Sequence, residues 1–362
     1  MTLRIYANLA ALPSDVVRLF DDAARADVFA GLAWFKVLAA TALPAGEAPL
    51  IAVLDDAQGP LATIALARRA TAERLAGARE IASLANFYTC HFAPVIRDGA
   101  DRRDAGRHLA RALAAGLAPY DLFDLHSLAA DDPATAGLAQ GLRDAGLAVQ
   151  PYFHFGNWHE RVAGDSFESY MARRPAALRN TIARKHRKLT RDRNFALEIL
   201  ATPAAIDRGI AAYEQVYAVS WKTAEPYPAF AARLLRDLGA TGQAVLGLAR
   251  VDDAPVAAQI WLFSQARATI FKLAHDEKHA ALSAGSILTA HLVQHAIEER
   301  RVPEIDFGRG DDDYKKSWLA ARREYRGLIA CSLRTPRGLA AALRHVLLAR
   351  LRGGAPGIGA AL

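Results

Sequence analysis

The chain of 362 residues has only two cysteines, Cys90 and Cys331. They carry no metal-ligand spacing, and two isolated thiols make no disulfide framework, which excludes a zinc-stapled or disulfide-dense fold and makes a reducing cytoplasm the expected compartment. No apolar run approaches the roughly 18 residues of a membrane span. The amino terminus, MTLRIYANLAALPSDVVRLFDD, is broken by Asn8 and Pro13 and shows no apolar segment followed by a small-residue cleavage site. A kinase-type glycine-rich loop is missing too. That disposes of Asp306-Phe307-Gly308, which spells DFG: His186-Arg187 and Asn194 only faintly match a catalytic loop, and no lysine motif of the β3 type precedes them.

Hydrophobic residues make up 52% and charged residues 23%, which excludes a disordered chain. The length suits two domains or one large one. A formal net charge of +7 points to anionic partners: phosphate-bearing ligands, nucleic acid or an anionic membrane face.

Periodicity divides the chain into two halves of similar element order. In the first, Leu50 to Leu54 and Leu61 to Arg68 read as a hairpin around Asp55-Asp56 and Gly59-Pro60, followed by a helix from Arg103 to Leu117. A strand Leu122 to His126, a helix through Leu138 to Ala145 and a strand Val149 to Phe155 complete it. In the second, helices Ala204 to Val219 and Ala229 to Leu238 precede strands Ala244 to Arg250, Val256 to Phe263 and Ala268 to His275. A helix Ser286 to Glu299 then leads into a strand Glu304 to Phe307. Weak alternation in these strands predicts burial on both faces by flanking helices, and the mixture of hairpins and crossovers predicts an α/β fold. Phe123-Asp124-Leu125 and Ile305-Asp306-Phe307 occupy matching places, which suggests a tandem pair of domains over residues 1–155 and 156–335, with an Arg- and Leu-rich helix (Arg337 to Arg352) and tail over 336–362.

Several clusters could carry chemistry. Arg173 to Arg193 holds nine Lys or Arg residues against one acid, with Leu178, Ile182 and Leu189 on one helical face and Arg184, Arg187, Lys188 and Arg191 on the other. It reads either as a polyanion or lipid-surface site or as a solvated face, and no RNA-binding motif accompanies it, so nucleic acid is not the expected partner. His291 and His295 have the i, i+4 spacing of metal ligands, but Leu292 stands where a zincin needs Glu and no third ligand is evident, so no metal is expected. Asn86 to Pro94 reads as one wall of an acceptor pocket or as an interdomain packing strip.

The segment Ile305 to Trp318, IDFGRGDDDYKKSW, is the most specific. Together with Ser220-Trp221-Lys222, the hairpin Ala244 to Phe263 and Lys272 to Gly285, it resembles the CelD-type acetyltransferases of cellulose and exopolysaccharide gene clusters, a branch of the GNAT superfamily related to the Fem peptidyltransferases. The resemblance covers about Gly156 to Cys331. One departure is that the Q/R-x-x-G-x-G/A signature of ordinary GNAT enzymes is missing, and Leu282-Ser283-Ala284-Gly285-Ser286 stands in its place.

The resemblance implies tandem GNAT-like domains with mixed central sheets flanked by helices, and acetyl-coenzyme A as co-substrate. It implies that the strands ending at His275 and Phe307 splay to admit the pantetheine arm. Ser283, Ala284, Gly285 and Ser286 would offer backbone amides to the pyrophosphate, where a helix start favours an anion. Tyr314 would protonate the leaving thiolate, and Lys315, matched to the Lys that Fem relatives carry after an aromatic residue, would stabilise developing charge on the thioester oxygen. Asp306 would orient Lys315, accept the amine proton or simply cap its strand; His275 would be a general base or an edge residue. Arg309, Trp221 and Trp318 would face the acceptor, while at least two of Asp311 to Asp313 would form a solvated loop. The implied activity is N-acylation of an envelope-polysaccharide precursor, amino sugar or amino acid. Fem-like aminoacyl transfer from tRNA, and a non-catalytic scaffold of a polysaccharide-synthesis complex, are the alternatives. Peripheral contact with the inner membrane stays open.

Overall fold

The computed structural model describes residues 1–71 and 77–347. Its strands are β1 (Thr2–Tyr6), β2 (Ala48–Asp56), β3 (Gly59–Thr71), β4 (Ala78–Ser83), β5 (Val95–Ile96), β6 (Leu122–Ala129), β7 (Ala148–Arg161), β8 (Phe195–Leu200), β9 (Ala244–Val251), β10 (Ala254–Phe263), β11 (Ala268–His275), β12 (Glu304–Arg309) and β13 (Ala321–Cys331). Its α-helices are α1 (Ser14–Ala26), α2 (Leu32–Thr41), α3 (Arg102–Gly116), α4 (Pro133–Asp144), α5 (Phe167–Ala172), α6 (Ala176–Asp192), α7 (Pro203–Ala218), α8 (Ala229–Gly239), α9 (Ala284–Gln294), α10 (Asp313–Trp318) and α11 (Pro336–Ala342). The expected helix Arg337 to Arg352 is seen as α11 and a π-turn Leu343–Leu347, and its remainder lies outside the described residues.

Two compact units emerge that do not follow a single cut of the chain. One comprises Met1–Ala24, Phe29–Gly156 and the segment from Arg323; the other comprises Arg25–Val28 and Asn157–Arg322. Each is a mixed sheet with helices on its faces, the α/β architecture read from the sequence.

In the first unit β1 to β4 run antiparallel in order, and β4 then pairs in parallel with β6. Helices α3 and α4 begin on Asp101 and Asp132, whose carboxylates cap the free amides of Asp104 and Ala134. The segment Asn86–Pro94 belongs inside this unit: Phe92 is buried, its amide donates to Ser127 O at 2.8 Å, and it bridges Leu128 in parallel. The backbone beside β6 is thus occupied by the chain's own segment.

In the second unit β8, β9, β10 and β11 form an antiparallel run, and β12 lies between β11 and β7. β9 and β10 are buried almost throughout, as their missing alternation predicts. Val245, Trp261 and Phe263 on the sheet pack with Leu288 and Leu292 of α9 and with Phe307 and Trp318. β8 and β13 escape a sequence reading because charged residues interrupt their apolar pattern.

Candidate active site

β11 and β12 pair only at their starts, Ala268 with Ile305 and Thr269 with Asp306. Beyond this point β12 departs, with a register irregularity against β7 between Asp306 and Arg309 and with Gly308 and Gly310 at φ 62° and 117°, values that suit glycine. A strand that leaves its neighbour strands backbone groups that need partners. Here two buried side chains supply them. Asp306 Oδ1 accepts from Gly308 N at 2.6 Å, and Asn157 Nδ2 donates to Gly308 O at 2.8 Å and to Asp306 Oδ1 at 2.7 Å. Asp306 therefore holds the splay open, and Lys315 is engaged elsewhere.

The far end of β11 reaches the start of α9. Ser283 enters this helix at φ 57° and no side chain caps it, so its first-turn amides are left for another acceptor. Gly285 lies beside His275: a β-carbon on it would stand 3.8 Å from His275 Cβ. The His275 ring packs against Trp221 at 4.4 Å, and burial lowers its pKa, keeping the imidazole neutral near pH 7. Trp221 is 47% exposed, as a residue lining an open face would be.

A relay of buried polar groups aims Tyr314. Trp261 Nε1 donates to Gln259 Oε1 at 2.9 Å, which fixes the amide so that Gln259 Nε2 donates to Thr289 Oγ1 at 2.7 Å and to Gly285 O at 3.0 Å. Thr289 Oγ1 then meets the Tyr314 hydroxyl at 3.0 Å. Burial raises the Tyr314 pKa above the ordinary phenol value, opposed by hydrogen bonds with Thr289 and Ser286, so the proton stays on at neutral pH. Asn157, Gln259, Trp261 and Thr289 are the site residues that sequence reasoning missed. Their polarity inside an apolar strand or helix is the signal that was there to be read.

Lys315 follows Tyr314 by one residue and so projects about 100° away around α10. Its ammonium donates to Arg309 O at 2.5 Å and stands 3.6 Å from Asp312, which places it in the turn after β12. Asp311 accepts from Trp158 and Arg322, so this acid also knits the loop. Trp318, expected to face the acceptor, is fully buried between Phe307 and Tyr314. Its carbonyl accepts from Tyr170 at 2.6 Å and from Arg174. It is a core residue that fixes α10, because i, i+4 spacing sends Tyr314 and Trp318 down one face and the deeper ring fills the interior.

Residues 176–316, from α6 through Tyr314, match the acetyltransferase (GNAT) domain family. The chain carries a GNAT acetyltransferase domain. It is an acyltransferase, and the splayed β11 and β12 are the GNAT feature the resemblance implied. No curated protein matches the sequence. Among solved structures, FemX is similar with a TM-score of 0.64 at 10% identity, over 95% of this chain and 99% of that one. A tandem GNAT protein from the clavulanic acid biosynthesis pathway is similar at 0.52 and 12%, over 92% and 100%. The C-terminal domain of a putative lysylphosphatidylglycerol synthetase from Agrobacterium fabrum is similar at 0.57 and 11%, over 93% and 96%. At such identities the likeness is one of fold, and it extends to both GNAT-like units.

Proposed function

We propose that the protein transfers an acetyl or longer acyl group from acyl-coenzyme A to an amine, as CelD-type enzymes do, the acceptor being an amino sugar or amino acid unit of an envelope-polysaccharide precursor handled in the cytoplasm. The observation that carries this reading is the combination of a splayed β11–β12 pair, an uncapped α9 start beside it and the Tyr314 phenol held at Thr289. The residues fit the coenzyme: the amides of Ala284, Gly285 and Ser286 offer hydrogen bonds and the positive end of a helix dipole to a pyrophosphate. Lys185, whose ammonium donates to Ala281 O at 2.6 Å, adds a cation to the preceding turn.

The coenzyme supplies an activated thioester. The acceptor nitrogen forms the new C–N bond as the C–S bond breaks, Tyr314 delivers its proton to the departing sulfur, and neutral His275 takes the proton lost by nitrogen. Thr289 can then turn its own hydrogen from Gly285 O to the phenolate, because Gln259 continues to serve that carbonyl. Lys315, in this account, orders the turn that carries Tyr314.

Isothermal titration of acetyl-coenzyme A, with desulfo-coenzyme A and total tRNA as comparison ligands, tests the proposal. Micromolar binding of both coenzyme forms is expected, and silence toward them sinks it. Aminoacyl transfer from tRNA is the second reading, favoured by the exposed cationic face of α6 and its groove of about 470 Å³ lined by Asn180, Arg184 and Arg187. Salt-sensitive tRNA binding lost on charge reversal at Arg184 and Arg187 would select it.

A further inference from the structure

The loop between α7 and α8 brings Lys222 under the influence of Lys272 of β11 and Lys315 of α10. Lys272, on β11, is 9% exposed, and its ammonium pairs with Glu225 of the loop and lies 5.4 Å over the Tyr217 ring. Lys315 is paired with Asp312. Lys222 belongs to the same loop as Glu225, with its ammonium 5.7 Å over the Trp221 ring. Among the described residues no carboxylate stands within salt-bridge distance of it. The charges that bear most on it are Lys272, Glu225, Lys315 and Asp312. Two of the three ammonium groups thus have a carboxylate and the third has none.

A half-buried ammonium without a counter-ion, beside two more of its own sign, is costly unless something anionic completes it. The cost shows in the Lys222 pKa, which burial and repulsion from Lys272 and Lys315, against the attraction of Glu225 and Asp312, push down to about 8. The position gives the missing charge a meaning. Trp221, the neighbour of Lys222, packs on His275, the base at the end of the splayed strand, so an oxyanion on Lys222 belongs to a molecule whose amine lies at His275.

We propose that Lys222, with Lys272 and Lys315 behind it, binds one oxyanion of the acceptor, so that the substrate is an amine that also carries a carboxylate or phosphate group. The inference rests on the acyltransferase reading of the site and names the acceptor class that reading leaves open. A lysine rather than an arginine suits the task, since a compact point charge accepts either oxyanion without a fixed fork. The coenzyme's own phosphates are assigned, in the proposed reading, to the amides at the start of α9.

Two readouts test it. Transfer rates are compared for glycine against glycinamide and for glucosamine 6-phosphate against glucosamine, in wild type, Lys222→Met and Lys222→Arg. Lys222→Met is expected to lower the kcat/KM ratio of acidic to neutral acceptor at least tenfold in one pair, which tells carboxylate from phosphate, and Lys222→Arg to restore part of it. The second readout is tryptophan fluorescence during titration with acetate or inorganic phosphate, with Trp221→Phe as the blank. A saturable change in wild type that Lys222→Met abolishes supports the site even if no amine is acylated, an outcome that counts against the acyltransferase reading alone. An unchanged acceptor ratio overturns the inference, and so does a loss of acetyl-coenzyme A affinity in Lys222→Met, which would assign the anion to the coenzyme.

Discussion

Tyr314 and Thr289 meet hydroxyl to hydroxyl at 3.0 Å, although one sits on a six-residue helix and the other inside α9, whose uncapped start is the proposed phosphate site. The contact ties Tyr314, the proposed proton donor, to the same helix whose amides would hold the coenzyme, so under that proposal α9 rather than the loop carrying Tyr314 would set the distance between acid and thioester.

Removing the phenolic proton should therefore cost catalysis and not binding. Tyr314→Phe is expected to lower kcat by about 10²- to 10⁴-fold with the acetyl-coenzyme A Kd within twofold of wild type. Thr289→Val, which keeps the acid but withdraws its partner, should lower kcat by roughly fivefold, the value of one hydrogen bond. Steady-state kinetics with titration calorimetry of each variant decides this.

Gly285→Asp separates stability from coenzyme binding. A carboxylate in the first turn of a helix is mildly stabilising, and the added β-carbon meets His275 only at 3.8 Å. The same charge repels a pyrophosphate. The melting temperature should hold or rise while acetyl-coenzyme A affinity falls at least tenfold; an unchanged affinity would place the phosphates elsewhere.

Asn157 is fully buried and serves both Gly308 O and Asp306. Asn157→Ala removes the side-chain donor to Gly308 O and one of the donors to Asp306 in the interior and should cost about 1–3 kcal/mol in urea unfolding. It should also weaken coenzyme binding, since the splay depends on Gly308 being satisfied away from β11.

The acceptor site should respond to pH through Lys222. Its ammonium faces Lys272, Glu225, Lys315 and Asp312, and is present below about 8 and lost as pH rises through that value. KM for an acidic acceptor should climb above pH 8 by about tenfold per unit, and the climb should vanish in Lys222→Arg, whose charge persists. A flat KM profile in wild type would show that the ammonium does not meet the acceptor.

Asp121, in the first unit, supplies an acid limit to stability. Burial would raise its pKa, yet the side chain and amide of Arg79 and the Thr335 hydroxyl bring it down to about 2. A folded pKa below the unfolded value of 3.8 means stability present above pH 4 and lost as pH falls through 2, worth roughly 2 kcal/mol for this buried carboxylate. Asp121→Asn should flatten the fall in urea midpoint between pH 4 and 2.

Residues next to one another in a motif were legible in the sequence, and those that act across long separations were not. Ser283, Gly285 and Tyr314 were singled out by the resemblance of their motifs to GNAT enzymes, and His275 by its place at the end of a strand. Asn157 and Asp306 are 149 residues apart, and nothing local in either segment announces that they would share the amide and carbonyl of Gly308. Gln259 and Thr289 look like polar interruptions of apolar elements until the Trp261 indole fixes one amide between them. Trp318 was misjudged for a related reason. An aromatic residue near a catalytic motif suits a cleft or a core equally, and only burial separates the two.

By itself the sequence determined the α/β class and the order of most strands and helices in the second unit, because periodicity, caps and glycine turns are local properties of the backbone, while the kind of chemistry came from the resemblance of its motif to GNAT enzymes. Tertiary structure decided which of the neighbouring Tyr314 and Lys315 reaches α9, what props the splay open and which lysine lacks a carboxylate, because each depends on side chains brought together from distant strands and on the charge left over once they have paired.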